Sequence, residues 1–156
     1  MIVGIDFDNT IAFYDKLFHE FALLEELIDE NWKGNSKVEL RDYLFSNPNG
    51  KINWMKIQGL VYGKYMNQAE LMPGVAYFIY SSIIRNHTVY IVSHKTKYGH
   101  YDDERYLLRD EAIKWMESKQ FFNPKYFGLK KENIFFASTR YQKNEIIKNL
   151  NCDYFI

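Results

Sequence analysis

Ile2-Val3-Gly4-Ile5-Asp6-Phe7-Asp8-Asn9-Thr10 is the stretch on which the reading of this 156-residue chain turns. Its opening four residues are a short, largely β-branched apolar run, the pattern of a strand buried on both faces, and the run ends in an acid. Three later runs share the pattern, at residues 88–92, 133–136 and 153–156. Segments with helical spacing lie between them. Pro73-Gly74 opens one that continues to about residue 85, with Val75, Phe78, Ile79, Ser82 and Ile83 on one face. Residues 103–118 form a second, spacing Tyr106, Leu107, Ala112, Ile113 and Met116 for a helix. A third opens at Thr139, which forms a capping-box pattern with Gln142, and runs to about residue 149. Strands alternating with helices predict an α/β fold, a three-layer α/β/α sandwich around a Rossmann-like parallel sheet.

Residues 14–71 break this rhythm. Residues 15–31 are strongly helical, with Leu17, Phe21, Leu24 and Ile28 at 4-3-4 spacing. Residues 38–45 predict a second helix, stopped by the turn-forming Asn47-Pro48-Asn49-Gly50. Residues 53–68 predict a third, weakened by Gly59 and Gly63. The expected organisation is a core of residues 1–13 and 72–156, with 14–71 inserted as a small helical cap.

Composition narrows the function. Twenty Lys and Arg balance twenty Asp and Glu, so no net field favours nucleic acid or an acidic membrane surface. Aromatic residues are abundant, but without a basic excess they argue poorly for base stacking. The longest apolar runs are far short of the roughly 20 residues that span a bilayer. The first residues resemble no signal peptide, and the expectation is a cytoplasmic protein with no nucleic-acid or membrane partner. A single cysteine, Cys152, excludes an internal disulfide and a Cys-rich zinc site, and it reads as a buried thiol. Oligomeric state is not legible.

The chemistry concentrates in Asp6-Phe7-Asp8-Asn9-Thr10. Ligands of a parallel sheet bind beyond the carboxyl ends of its strands, where this pentapeptide must lie. Side chains two apart on an extended chain leave on the same side, so both carboxylates can face one reacting centre. One can attack a phosphoryl group while the other passes a proton to the leaving oxygen and then activates water. Repulsion between carboxylate and phosphate requires a cation and fixed donors to offset it. The plainer alternative is a polar loop in which Asp8, Asn9 and Thr10 cap the turn.

A hydrophobic strand followed by D-x-D-x-T resembles the first motif of the haloacid dehalogenase-like superfamily. The resemblance implies that Asp6 is the nucleophile, forming an aspartyl-phosphate and binding magnesium. Asp8 would be the general acid/base and supply a second magnesium ligand through its carbonyl; members acting on carbon–halogen bonds lack this second acid. The family's second motif is a Ser or Thr at the end of the next strand, matched by Ser93 after Val89-Tyr90-Ile91-Val92 and behind Met72-Pro73-Gly74-Val75. Its third is a Lys or Arg, matched by Lys143 in the helix opened by Thr139, with Arg140 as the competing candidate. Thr10, Ser93, His94 and Lys143 are thus expected to bind phosphate, and Asp6 and Asp8 to hold Mg2+. The implied function is a Mg2+-dependent phosphohydrolase acting on a small phosphorylated metabolite.

The fourth motif, an acid just after the fourth strand, has no counterpart. Asp153 precedes that strand and belongs at the wrong end of the sheet. The expectation is either a chain truncated before that motif, or a divergent member with an incomplete metal site and weaker magnesium binding. A phosphotransferase or mutase would use the same nucleophile, and a non-catalytic phosphate-binding module is the reading if the protein ends at Ile156. His94 and Lys95 read either as the active-site mouth or as solvated loop. His100, Asp102, Asp103 and Glu104 match no coordination pattern, His19 and His87 are incidental, and Trp54, Tyr62, Tyr65 and Met66 read either as packing between cap helices or as a substrate-facing cap surface.

Overall fold

The computed structural model describes residues 1–156. Its centre is a four-stranded parallel sheet built from β1 (Ile2–Ile5), β4 (Thr88–His94), β5 (Ile134–Ala137) and β6 (Tyr154–Phe155), in the order β5-β4-β1-β6. Two further strands, β2 (Ala12–Phe13) and β3 (Glu70–Leu71), pair antiparallel in a separate ribbon. Six helices complete the chain: α1 (Asp15–Leu24), α2 (Lys37–Phe45), α3 (Gly50–Tyr62), α4 (Val75–Ile84), α5 (Leu108–Ser118) and α6 (Arg140–Asn149). This is a mixed α/β fold of Rossmann type, as the βα alternation predicts.

Parallel pairing is what gathers the chemistry. β1 lies against β4 with Ile5 opposite Ile91, and β4 lies against β5, so three strand ends emerge on one side of the sheet. Val3, Ile5, Val89 and Ile91 are buried, as the uninterrupted apolar runs require of strands covered on both faces. β4 is two residues longer than the apolar run indicates: Ser93 and His94 belong to the strand. Asp153 lies at the opposite end, where its carboxylate accepts the Ile2 N–H at 2.7 Å.

The ribbon brings the two ends of the expected cap together. Residues between β2 and β3 carry α1, α2 and α3, which pack on one another through Leu17, Phe18, Phe21, Leu40, Leu44, Trp54 and Ile57. Trp115 of α5 pins the return of this segment by donating its indole N–H to the Ala69 carbonyl at 2.9 Å.

Several helix limits differ from their sequence patterns. α1 stops at Leu24, because Glu26 takes a positive φ and the chain turns; Ile28 is nonetheless buried in the same core. α3 starts at Gly50 and stops at Tyr62, with Met66–Gln68 a separate 3-10 turn. Gly59 is there for contact: a Cβ on it would lie 3.0 Å from the His100 carbonyl oxygen, and one on Gly99 would lie 2.7 Å from the Gly59 Cα. α5 begins five residues later than periodicity suggests. The Asp102 carboxylate accepts the N–H groups of Glu104 and Tyr106 and holds residues 102–106 in a turn, so Tyr106 is not on the helix. On α4, Phe78 is exposed instead of joining Ile79 in the core. Cys152 is half-buried, not buried.

Candidate functional site

Asp6 and Asp8 follow β1 with Phe7 between them. The extended chain sends Phe7 inward, where it is fully buried edge-on to Trp115, with ring centroids 5.5 Å apart. Both carboxylates therefore leave on the other side, toward a cavity of about 770 Å³ between the sheet and α2–α3. The chain then reverses: Asn9 takes a left-handed φ of 59°, which asparagine tolerates, and the Phe7 carbonyl accepts the N–H groups of Ile11 and Ala12. This turn fixes where the aspartates point.

Each carboxylate has a lysine. Lys143 Nζ of α6 lies 2.7 Å from Asp6 Oδ2, while Asp6 Oδ1 accepts the Phe7 N–H at 2.8 Å. Lys95 Nζ, just past β4, lies 3.0 Å from Asp8 Oδ1. Asp8 is held further by the Tyr14 hydroxyl, which donates to Oδ1 at 2.7 Å, and by the Ser93 hydroxyl, directed at Oδ2 at 3.5 Å. Burial raises the Tyr14 hydroxyl well above its ordinary pKa, and the charge of Asp8 pushes the same way, so Tyr14 remains a donor. Tyr62 of α3 is raised in the same sense and by the same two causes.

The expected site residues are distributed unevenly. Asp6, Asp8, Lys143 and His94 line the cavity together with Arg140. His94 Nε2 pairs with the Ser138 carbonyl oxygen at 3.0 Å, tying β4 to the start of α6. Ser93 is completely buried behind Asp8. Thr10 lies in the reversing turn, where its N–H reaches the Phe7 carbonyl, and it is not among the cavity-lining residues. The acids of residues 102–104 are engaged otherwise: Asp102 caps its own turn and Glu104 pairs with Lys64.

Two residues of the site, Tyr14 and Lys37, escape sequence reasoning, and two more, Lys95 and Tyr62, are left open by it. Lys95 reads either as active-site mouth or as solvated loop, and its ammonium is instead buried between Asp8 and the faces of Phe7 and Tyr62. Tyr14 carries no signal beyond following the β2 run. Tyr62, read as cap packing or as a substrate-facing surface, lines the cavity and packs edge-on against Tyr14 with centroids 5.0 Å apart. Lys37 of α2 also lines the cavity and donates to the Tyr62 hydroxyl. A second lobe of about 220 Å³ continues past Asp8 and Tyr62 toward Met55, Gly99 and His100.

No protein-family model matches the chain, and no curated protein matches it. Among solved structures it is similar to a haloacid dehalogenase-like family hydrolase from Xanthomonas campestris, at 11% sequence identity over 97% of this chain and 69% of that one. The TM-score of 0.45 makes this a loose likeness, which carries nothing about residue roles or function.

Proposed function

We propose that the protein is a Mg2+-dependent phosphohydrolase acting on a small phosphorylated metabolite through an aspartyl-phosphate, with residues 14–71 as the cap over its site. The observation that carries this reading is the pair of carboxylates, Asp6 and Asp8, side by side at the end of β1, each with its own lysine and facing one cavity.

Asp6 attacks phosphorus, and its P–O bond forms as the bond to the leaving oxygen breaks. Asp8, in its protonated form, gives its proton to that oxygen. It then takes a proton from the water that attacks the aspartyl-phosphate, releasing phosphate and restoring both groups. Lys143 exchanges its contact with Asp6 for the phosphoryl oxygens and balances their charge. Ser93, Tyr14 and Lys95 hold Asp8 in place. Thr10 and His94 remain candidate contacts to phosphate, Thr10 from the turn and His94 from the rim.

The donors suit Mg2+ in the manner it commonly accepts, with one or two carboxylates, retained waters and substrate phosphate completing its shell. No group of three His, Cys, Asp or Glu side chains comes together, so the protein's share falls to Asp6 and to Asp8 with its carbonyl. When bound, the ion supplies Lewis-acid neutralisation of the phosphoryl charge.

The test is phosphate release from a panel of phosphomonoesters by the intact protein and by Asp6→Asn. The expected result is Mg2+-dependent release that the substitution abolishes while circular dichroism and Tm are retained. Release that persists in the Asp6→Asn protein sinks the mechanism.

A further inference from the structure

The large cavity is not electrically balanced. Lys37, Arg41, Arg140 and Lys143 line it against only Asp6 and Asp8. Lys143 is taken up by Asp6, and Asp8 by Lys95 from below. That leaves the two cap cations and Arg140 facing the cavity with no carboxylate of the site to answer them. Arg41 shares the exposed Asp42 carboxylate through Nε and Nη2, which leaves Nη1 uncommitted. Lys37 forms no ion pair at all. Its partner is the neutral Tyr62 hydroxyl, and its ammonium stands 5.2 Å from the ring centres of both Phe18 and Tyr62.

A lysine in that position is costly to keep. It is half-buried, it sits in the first turn of α2 where the helix dipole disfavours a cation, and the same Tyr62 ring already carries Lys95 at 4.6 Å. Burial holds its pKa below the ordinary lysine value, and only Asp8 and Asp15 push the other way. An anion entering the cavity relieves all of these costs together.

The position also says which part of a ligand it meets. Lys37 shares the Tyr62 ring with Lys95, the partner of Asp8, the proposed acid, whereas Asp6, the proposed nucleophile, is held by Lys143 beside Phe155. In an in-line displacement the leaving group departs on the side away from the nucleophile, toward the acid. We infer that the substrate carries a second anionic group, a phosphate or a carboxylate, on its leaving portion, and that Lys37 and Arg41 of the cap bind it. The inference rests on the phosphate-transfer reading of Asp6 and adds the substrate class and the residues that select it.

Calorimetry with unreactive phosphonates tests this without requiring turnover. Propylphosphonate supplies one anionic group; 3-phosphonopropanoate adds a carboxylate and propane-1,3-bisphosphonate adds a second phosphonate, with homologues one carbon shorter and longer to cover the span. Titrations with and without Mg2+ keep chelation by the ligand out of the comparison. At least one doubly anionic series is expected to bind about tenfold more tightly than propylphosphonate, the gain of one charge-assisted contact. Which series gains identifies the second group as carboxylate or phosphate. Lys37→Met is expected to remove most of that advantage, and Arg41→Met, at a half-buried position, to reduce it with Tm unchanged. Equal affinities for all three ligands, or an advantage that survives both substitutions, overturns the inference while leaving phosphate chemistry at Asp6 intact. Failure of propylphosphonate and inorganic phosphate to bind at all overturns the phosphate reading, and the cap subsite with it.

Discussion

The floor and the mouth of the site each contain an aspartate–lysine pair, at 3.0 and 2.7 Å, and the two pairs do different work. On the floor, the Lys95 side chain is 2% exposed and Asp8 is 20% exposed, with Tyr14 and Ser93 also directed at the carboxylate. At the mouth, Lys143 is 14% and Asp6 33% exposed, and their other neighbours are the Phe7 N–H and the Phe155 ring. A desolvated pair held by further hydrogen bonds is expensive to open, because losing one partner strands the other. A pair with a solvent-facing side can exchange partners at little cost. The floor is built to hold Asp8 still, and under the proposed function the mouth would let Lys143 leave Asp6 for a phosphoryl group.

Substitution at the mouth is the sharpest way to break this contrast, and it carries the largest effect. Lys143→Met is expected to lower kcat/KM about 100-fold or more, the scale of losing one charge-stabilising donor, while stability changes by less than about 1 kcal/mol. A large loss of stability with turnover retained would reverse the assignment of the two pairs. On the floor, Lys95→Met is expected to cost about 2–3 kcal/mol of unfolding free energy, since Asp8 keeps two donors but loses its counter-charge. Urea unfolding of the two variants side by side reads the difference directly.

Tyr14→Phe removes one donor from Asp8 and is expected to cost about 1 kcal/mol at neutral pH. It should also change the alkaline behaviour. The folded-state pKa of Tyr14 lies above its ordinary value of 10.0, so above that pH the unfolded chain has released a proton that the folded protein still holds. The stability contributed by the neutral hydroxyl is therefore complete below about pH 10 and declines as pH rises past it. Unfolding measured between pH 9 and 11 is expected to fall less steeply for Tyr14→Phe than for the parent protein. The smallest effect belongs to the surface: Lys64→Met, which removes the exposed partner of Glu104, is expected to shift stability by less than about 0.5 kcal/mol. A loss there as large as that of Lys95→Met would show that burial is not what separates the floor from the mouth.

What could be read in the chain follows from how local each signal is. The Asp6–Thr10 motif was legible because a strand's two-residue period alone puts two acids on one side. The place of Lys143 in the first turn of a helix is legible because that helix's cap, Thr139 accepting from Gln142, is written in adjacent residues. The helix expected over 103–118 starts later than its period indicates, since a side-chain turn at Asp102 competes with the periodic pattern and wins locally. Gly59 weakens α3 by propensity, although its meaning lies about 40 residues away at Gly99 and His100.

The sequence by itself determined the α/β alternation, the parallel sheet and the end of that sheet at which chemistry can occur. Those follow from hydrophobic period and chain direction, which are properties of neighbouring residues. Tertiary structure alone decided that Lys95 is buried under Asp8 while the pair of Lys143 with Asp6 keeps a solvent-facing side, and that Lys37 of α2 faces the same cavity. A lysine's charge is visible in a sequence, but its partner and its solvent are set by segments tens of residues away. Only when α2, α3 and β4 are packed together does one ammonium become a fixed support and another a cation without a counterpart.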